Sequence, residues 1–232
     1  MFANYHTHTA RCHHATGEDK AYVEAAIQNG FQVLGFSDHC PWIFSDGYVS
    51  PIRMTPDELD GYVTSLTALK KEYAADITIY IGLESEYVPE MLPEQQKFLQ
   101  DYPIDYQIVG EHFLYPEQRG IYTGKPTDNA AELKHYVDQV IAGMETGNYL
   151  YLAHPDLFHF IGDPACYEQE FRRLCVYLKE KQIPIGDENL LIGSLEEPIT
   201  ENMAVTVIPK IYKEVVETED IEFGIIKKAS YN

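Results

Sequence analysis

The stretch Phe2-Ala3-Asn4-Tyr5-His6-Thr7-His8-Thr9 decides how the rest of the chain is read. It predicts the first strand, and successive side chains on a strand face opposite ways, so His6 and His8 share a face with the small Thr7 between them. Two imidazoles placed like this form a chelate for a divalent transition metal, and histidine is the commonest such ligand. Two histidines near a terminus can also be incidental. The choice rests on whether similar strand ends recur.

They recur along the chain. A helical pattern from Glu18 to Asn29 stops at Gly30, and Phe31 to Phe36 reads as a short apolar strand with Ser37-Asp38-His39 just past its end. Thr55-Pro56-Asp57-Glu58 opens a second helix running to Ala75, Thr55 as its cap and Pro56 in its first turn. Ile77 to Leu83 is a strand ending at Glu84. Asp105 to Val109 is another, followed by Gly110-Glu111-His112. Helices are expected over 128–146 and 164–181. Tyr149 to Ala153 is a strand ending in His154-Pro155-Asp156, and Ile183 to Ile185 opens one more. Strand alternating with helix predicts parallel βαβ units, whose active sites gather at the C-terminal rim of the sheet. His6 and His8, His39, Glu84, His112 and His154 all fall there, at five strand ends, and His14 in the first loop lies close enough to join them.

Composition narrows the chemistry. The 232 residues, 45% hydrophobic and 23% charged, suit one domain over 1–232 with a substantial core, and no linker is evident. A formal net charge of −20 repels a polyphosphate backbone, which argues against nucleic-acid partners but not against a small phosphate ester held by dications. No apolar run approaches the roughly 20 residues of a membrane span, and no signal peptide is read at the N-terminus. Cys12, Cys40, Cys166 and Cys175 form no CxxC pair, so a reducing, cytoplasmic setting is expected, with Cys12 and Cys40 as small packing groups.

Imidazole and carboxylate together suit Zn, Mn or Fe rather than Ca or Mg. Six histidines and one glutamate exceed the needs of one tetrahedral centre, so two or three divalent ions are expected, with Glu84 as a bridging carboxylate. Such a cluster fits hydrolysis of a phosphate ester. Arg53, in a Pro-rich loop, and Arg119, beyond His112, are candidates for binding the phosphoryl group; either could equally be a solvated loop arginine. Asp38 and Asp156 flank ligands and could orient imidazoles, although Asp156 could instead cap the next helix. His13, His135 and His159 are read as non-ligands.

The order of HTHT, Cys-x-His-Ala, SDH, GLExEY, GxHFL and AHPDL resembles the polymerase-and-histidinol-phosphatase (PHP) superfamily, in its histidinol-phosphate phosphatase-like branch. The likeness is strong from Tyr5 to Leu157 and fades towards Asn189. It implies an α/β fold, a distorted (β/α)7 TIM-like barrel, with a trinuclear metal site. By resemblance, His6 and His8 hold one metal shared with Glu84; Glu84, His112 and His154 hold a second; His14 and His39 hold the third. The implied function is a phosphomonoesterase acting on a small phosphate ester such as L-histidinol phosphate, by attack of a metal-bound hydroxide. The family's final Ser-Asp-Ala-His-like motif is missing, and no histidine follows His159. The segment 186–232 is therefore atypical and the last strands are expected to be altered. Asp187 or Glu188 could replace the missing Asp. Two other readings stay open: a catalytically impaired metal-binding or regulatory module, and a phosphodiesterase or exonuclease.

Overall fold

Two buried strands organise the first part of the chain, β2 (Val33–His39) and β3 (Thr78–Ser85), paired in parallel with Val33 opposite Thr78 and His39 opposite Glu84. The computed structural model describes residues 3–183 and the backbone of Gly186–Asp187 and Ile226–Lys227. The fold is α/β. Its main sheet runs in the order β1 (Ala3–Asn4), β2, β3, β4 (Tyr106–Val109), with β1 parallel to β2. The chain divides into two compact units, 1–108 and 109–232.

In the first unit the period of two separates core from site. Leu34 and Phe36 of β2 and Ile79, Ile81 and Leu83 of β3 share one apolar cluster with Val23 and Ala26 of α1 (Asp19–Gln28) and Leu59, Tyr62, Leu66 and Leu69 of α2 (Leu59–Glu72). Each such aliphatic side chain contributes about 1.5–3 kcal/mol on burial. The alternate residues, Gly35, Ser37 and His39 on β2 and Tyr80, Gly82 and Glu84 on β3, therefore face the other side of the sheet. Both strands run further than the sequence pattern suggests, so His39 and Glu84 are strand residues rather than residues just past a strand. They are opposite one another in the ladder.

The expected first strand is a correction. Only Ala3–Asn4 pairs with β2 among the described residues, because side chains take over the backbone bonds beyond it. Asn4 Oδ1 accepts from the His6 N–H at 2.9 Å, and Asn4 Nδ2 donates to Thr7 Oγ1 at 2.9 Å. Thr9 then caps a single 3-10 turn, Ala10–Cys12. The second helix begins as the Thr55 pattern suggests. The Glu58 carboxylate accepts from Thr55 N and Oγ1 at 2.8 and 2.9 Å, a 3-10 turn at Pro56–Glu58 precedes α2, and α2 stops at Glu72. An unexpected short helix, α3 (Leu92–Leu99), fills part of the connection to β4.

In the second unit α4 (Ala130–Glu145) and α5 (Pro164–Glu180) carry Leu133, Tyr136, Val137, Phe171, Leu174 and Leu178 as buried residues. The side chain of Asp163 caps α5 by accepting from Ala165 N at 2.9 Å, so Asp156 is not that cap; it lies in a 3-10 turn, Pro155–Leu157. The expected strand at 149–153 reduces to one parallel bridge, Val109 with Leu152, in which Val109 N donates to Tyr151 O and Ala153 N to Val109 O. At the C-terminus β5 (Gly186–Asp187) pairs in parallel with β6 (Ile226–Lys227). Glu188 and most of the atypical segment 186–232 lie outside the described residues, as does the side chain of Asp187.

Candidate metal centre

The site in the first unit is built around one oxygen. Glu84 Oε2 has His6 Nε2 at 3.1 Å, His8 Nε2 at 3.2 Å and His39 Nδ1 at 3.3 Å. The two Nε2 atoms of His6 and His8 are 3.0 Å apart. Glu84 is inaccessible to solvent, and His6 and His39 are buried. The parallel register supplies this convergence: His39 and Glu84 are cross-strand neighbours, and the segment after β1 runs alongside, with Ser37 N donating to Thr7 O at 2.9 Å.

These donors fit a transition metal. Ligand atoms in a tetrahedral shell with bonds of roughly 2.0–2.1 Å are about 3.3 Å apart. The nitrogen–oxygen and nitrogen–nitrogen separations around Glu84 match that edge. One carboxylate oxygen has too few lone pairs to bond three imidazoles well, whereas bound cations would take up the nitrogen lone pairs. A second group is formed by His8, His14 and His39, whose ligand atoms lie within 4.8 Å of one another. His14 Nδ1 is 2.7 Å from the carbonyl oxygen of Cys12, which accepts only, so the proton sits on Nδ1 and Nε2 is left as the donor atom.

Behind the imidazoles lies a buried polar layer. Both oxygens of Asp38 accept from Thr9, one from its backbone N–H and one from its hydroxyl. Asp38 Oδ1 is 3.8 Å from His8 Nδ1 and is fully buried. Burial pushes the Asp38 carboxyl up, and the hydrogen bonds from Thr9 oppose the shift. Cys12 is more than the packing group expected. Its Sγ is 3.4 Å from His8 Nδ1 and accepts from the His39 backbone N–H at 3.0 Å, so it touches two ligand-bearing segments. Burial drives this thiol far above its ordinary value, which makes it a neutral partner rather than a nucleophile. Burial also lowers the His8 imidazole to about 3 in the metal-free protein, against the pull of its hydrogen bond to Glu84. A neutral ring is the form that ligates. Further out, Arg11 Nη1 donates to Asp19 Oδ1 at 2.9 Å and to Thr9 Oγ1 at 3.1 Å.

Arg53 does not lie open in its loop. It is 1% exposed, donates Nη2 to Glu86 Oε1 at 3.0 Å and Nη1 to Glu86 Oε2 at 3.2 Å, and also reaches the Cys40 carbonyl at 3.0 Å. Trp42 Nε1 donates to the same carboxylate at 3.1 Å.

The second unit brings its own pair together. The Val109–Leu152 bridge sets the chain ends carrying His112 and His154 side by side, and their buried rings are 4.8 Å apart. Thr123 N donates to the His112 carbonyl at 2.9 Å, which fixes the backbone there. His154 has φ of +30°, a left-handed conformation that a non-glycine residue adopts at a cost of about 1–2 kcal/mol. Arg119 lies exposed on the 3-10 turn Glu117–Arg119. His135 faces the Leu114 carbonyl at 3.0 Å and stacks on Tyr115.

Sequence reasoning missed Thr9, Arg11 and Tyr106 as parts of this region, and took Cys12 only as a packing group. Thr9 and Cys12 stand within the HTHT and Cys-x-His-Ala runs, so position was the available signal. Nothing in the sequence marks Arg11 or Tyr106.

The PHP domain family model matches residues 4–186 of this chain, and the chain belongs to that family. It is 34% identical over 109 residues to the probable histidinol-phosphatase of Deinococcus radiodurans, covering 47% of this chain and 41% of that protein. It is 33% identical over 115 residues to the histidinol-phosphatase of Bacillus subtilis, covering 47% and 43%. The matched stretch is thus less than half the length of these curated relatives. The HisK crystal structure from Listeria monocytogenes superposes with a TM-score of 0.66 at 21% identity, covering 90% of this chain and 91% of that one. The histidinol phosphate phosphatase of Lactococcus lactis, crystallised with zinc, L-histidinol and phosphate, gives 0.64 at 18% identity, over 83% and 74%. At these identities the two structures establish a shared fold.

Proposed function

We propose that this protein is a metal-dependent phosphomonoesterase acting on a small phosphate ester, with L-histidinol phosphate as the first substrate to test. The observation that carries the reading is the set of three imidazole nitrogens around one Glu84 oxygen in a PHP-family chain. The names of the Deinococcus and Bacillus relatives, and the ligands of the Lactococcus enzyme, support the substrate class. Family membership also favours reading the chain as one (β/α)7-type domain, since a single family model runs through both units. Four free cysteines suit a reducing, cytoplasmic setting. Among the described residues no helix is long and apolar enough to cross a membrane.

In this reading His6, His8, His14, His39 and Glu84 hold two or three ions of Zn, Mn or Fe, and the order of the family motifs assigns His112 and His154 to the same cluster. Bound dications would supply a nucleophile at neutral pH and offset the charge of the phosphoryl oxygens. The protein's own groups do the rest. Asp38, held by Thr9, orients the His8 ring through its Nδ1 face, and Cys12 supports the same edge. The His8 ring, largely shielded from solvent, stays neutral and ready to ligate. Arg53 and Arg119 stay the two candidates for phosphoryl recognition, Arg53 buried against Glu86 and Arg119 exposed, and Asp156, directly after His154-Pro155, is the candidate for orienting an imidazole.

The test is turnover of protein reconstituted with Mn or Zn. L-histidinol phosphate, simple phosphomonoesters and a phosphodiester are the substrates to compare. The reading expects phosphate release from monoesters, fastest from L-histidinol phosphate, and little from the diester. Metal uptake without turnover of any of them would favour a binding module, for which the absence of histidine after His159 is the motivation.

A further inference from the structure

We infer that Tyr106 is a positioning residue for the Glu84 centre, setting the His6–His8 segment against the strand that carries His39. The inference rests on the metal-site reading above and concerns a residue outside the ligand set. β1 ends at Asn4, so the ligand-bearing segment leaves the ladder before its first histidine. Tyr106 holds it there, together with the bond from Ser37 N to Thr7 O. The Tyr106 hydroxyl is 2.7 Å from the carbonyl of Tyr5, immediately before His6, and 3.0 Å from the carbonyl of Phe36 on β2. One hydroxyl proton shared between two carbonyls clamps the two segments together.

The chain makes room for this ring at two places. A Cβ at Gly82 would lie 2.3 Å from Tyr106 Cζ, and one at Gly35 would lie 2.3 Å from the Tyr106 hydroxyl and 2.9 Å from the Tyr5 Cα. Both glycines interrupt strands otherwise rich in large apolar residues, where glycine weakens pairing and marks a close approach. Gly82 is two residues before Glu84 on the same face of β3, so the ring lies one layer, about 6.6 Å, below the carboxylate. The Tyr5 ring meets Tyr106 edge-on at 5.8 Å and stacks on Tyr80 at 5.9 Å. This aromatic layer is the floor of the site. It resists movement of Tyr5, hence of His6.

Tyr106→Phe keeps the ring and removes the clamp. Cobalt(II) and zinc titrations of the metal-free full-length protein, with the cobalt absorption spectrum as a report on ligand geometry, read the effect directly. We expect about a tenfold or larger loss of affinity and an altered cobalt spectrum, the range seen when groups supporting metal ligands are removed. A merely structural tyrosine would lower the thermal midpoint of the metal-free protein and leave affinity and spectrum unchanged, and that result overturns the inference. Gly82→Ala pushes on the same ring while keeping the hydroxyl; it should weaken binding in the same sense, and it decides the matter should Tyr106→Phe not fold. Wild-type protein that takes up no metal would defeat the site reading itself, whereas wild-type binding with unchanged variants defeats only the role of Tyr106.

Discussion

Arg53 and Glu86 form a buried, two-pronged ion pair, Nη2 to Oε1 at 3.0 Å and Nη1 to Oε2 at 3.2 Å. Arg53 also donates to the carbonyl of Cys40, the residue after His39, and Glu86 stands two residues after Glu84. The pair therefore ties the loop that follows β2 to the end of β3, beside the site. Removing one partner leaves a buried charge uncompensated. Arg53→Met should lower unfolding free energy by about 3–5 kcal/mol, whereas the double variant Arg53→Met with Glu86→Leu should recover most of the loss. Urea denaturation measures both. A double variant destabilised by the sum of the losses in Arg53→Met and Glu86→Leu alone would show that the pair is not coupled.

The Thr9–Asp38 contact makes a second prediction. Thr9→Val keeps the shape and the backbone donor but removes the hydroxyl that holds Asp38 Oδ2. The carboxylate should then lose its fixed orientation towards His8 Nδ1, weakening zinc about 10–100-fold in a competition titration. Unchanged zinc affinity would remove Asp38 from the orienting role.

Asp138 on α4 links to α5 by a contact whose pH dependence has a definite sign. Burial pushes its carboxyl up, but hydrogen bonds from Lys134 and Arg173 outweigh that and leave it below the ordinary aspartate value. A lowered folded value means the stabilisation is present above the unfolded value, near pH 4, and is lost as pH falls through the folded value. The group is 43% exposed, so solvent screening limits its worth to about 0.2–1 kcal/mol. Asp138→Asn should be destabilised by that amount at pH 7, and the gap to wild type should narrow progressively as pH falls below the ordinary aspartate value, in urea midpoints read across that range.

Much of this arrangement was legible because it follows periodicity. β2, β3, α1, α2, α4 and α5 carry their pattern locally, and His39 and Glu84 reach the same end of the sheet once both strands are read as parallel. The exceptions have physical causes. Asn4 and Thr9 compete for backbone bonds and cut β1 short, and α3 is a short helix inside a long connection. The segment before His154 keeps strand-like bonding only at Val109–Leu152. The partners of Arg53 and Cys12 could not be read from the sequence because they are distant along the chain. Glu86 is 33 residues from Arg53, and the His39 amide is 27 from Cys12.

The central claim is that Glu84 is shared by several imidazoles through bound cations, and metal content tests it most directly. Elemental analysis of purified, zinc-loaded and desalted protein should find two or three ions per chain. Glu84→Gln, alike in shape but without the charge, should retain fewer ions and lose essentially all phosphatase turnover. Wild-type protein without stoichiometric metal, or a Glu84→Gln variant with the full complement, would contradict the account.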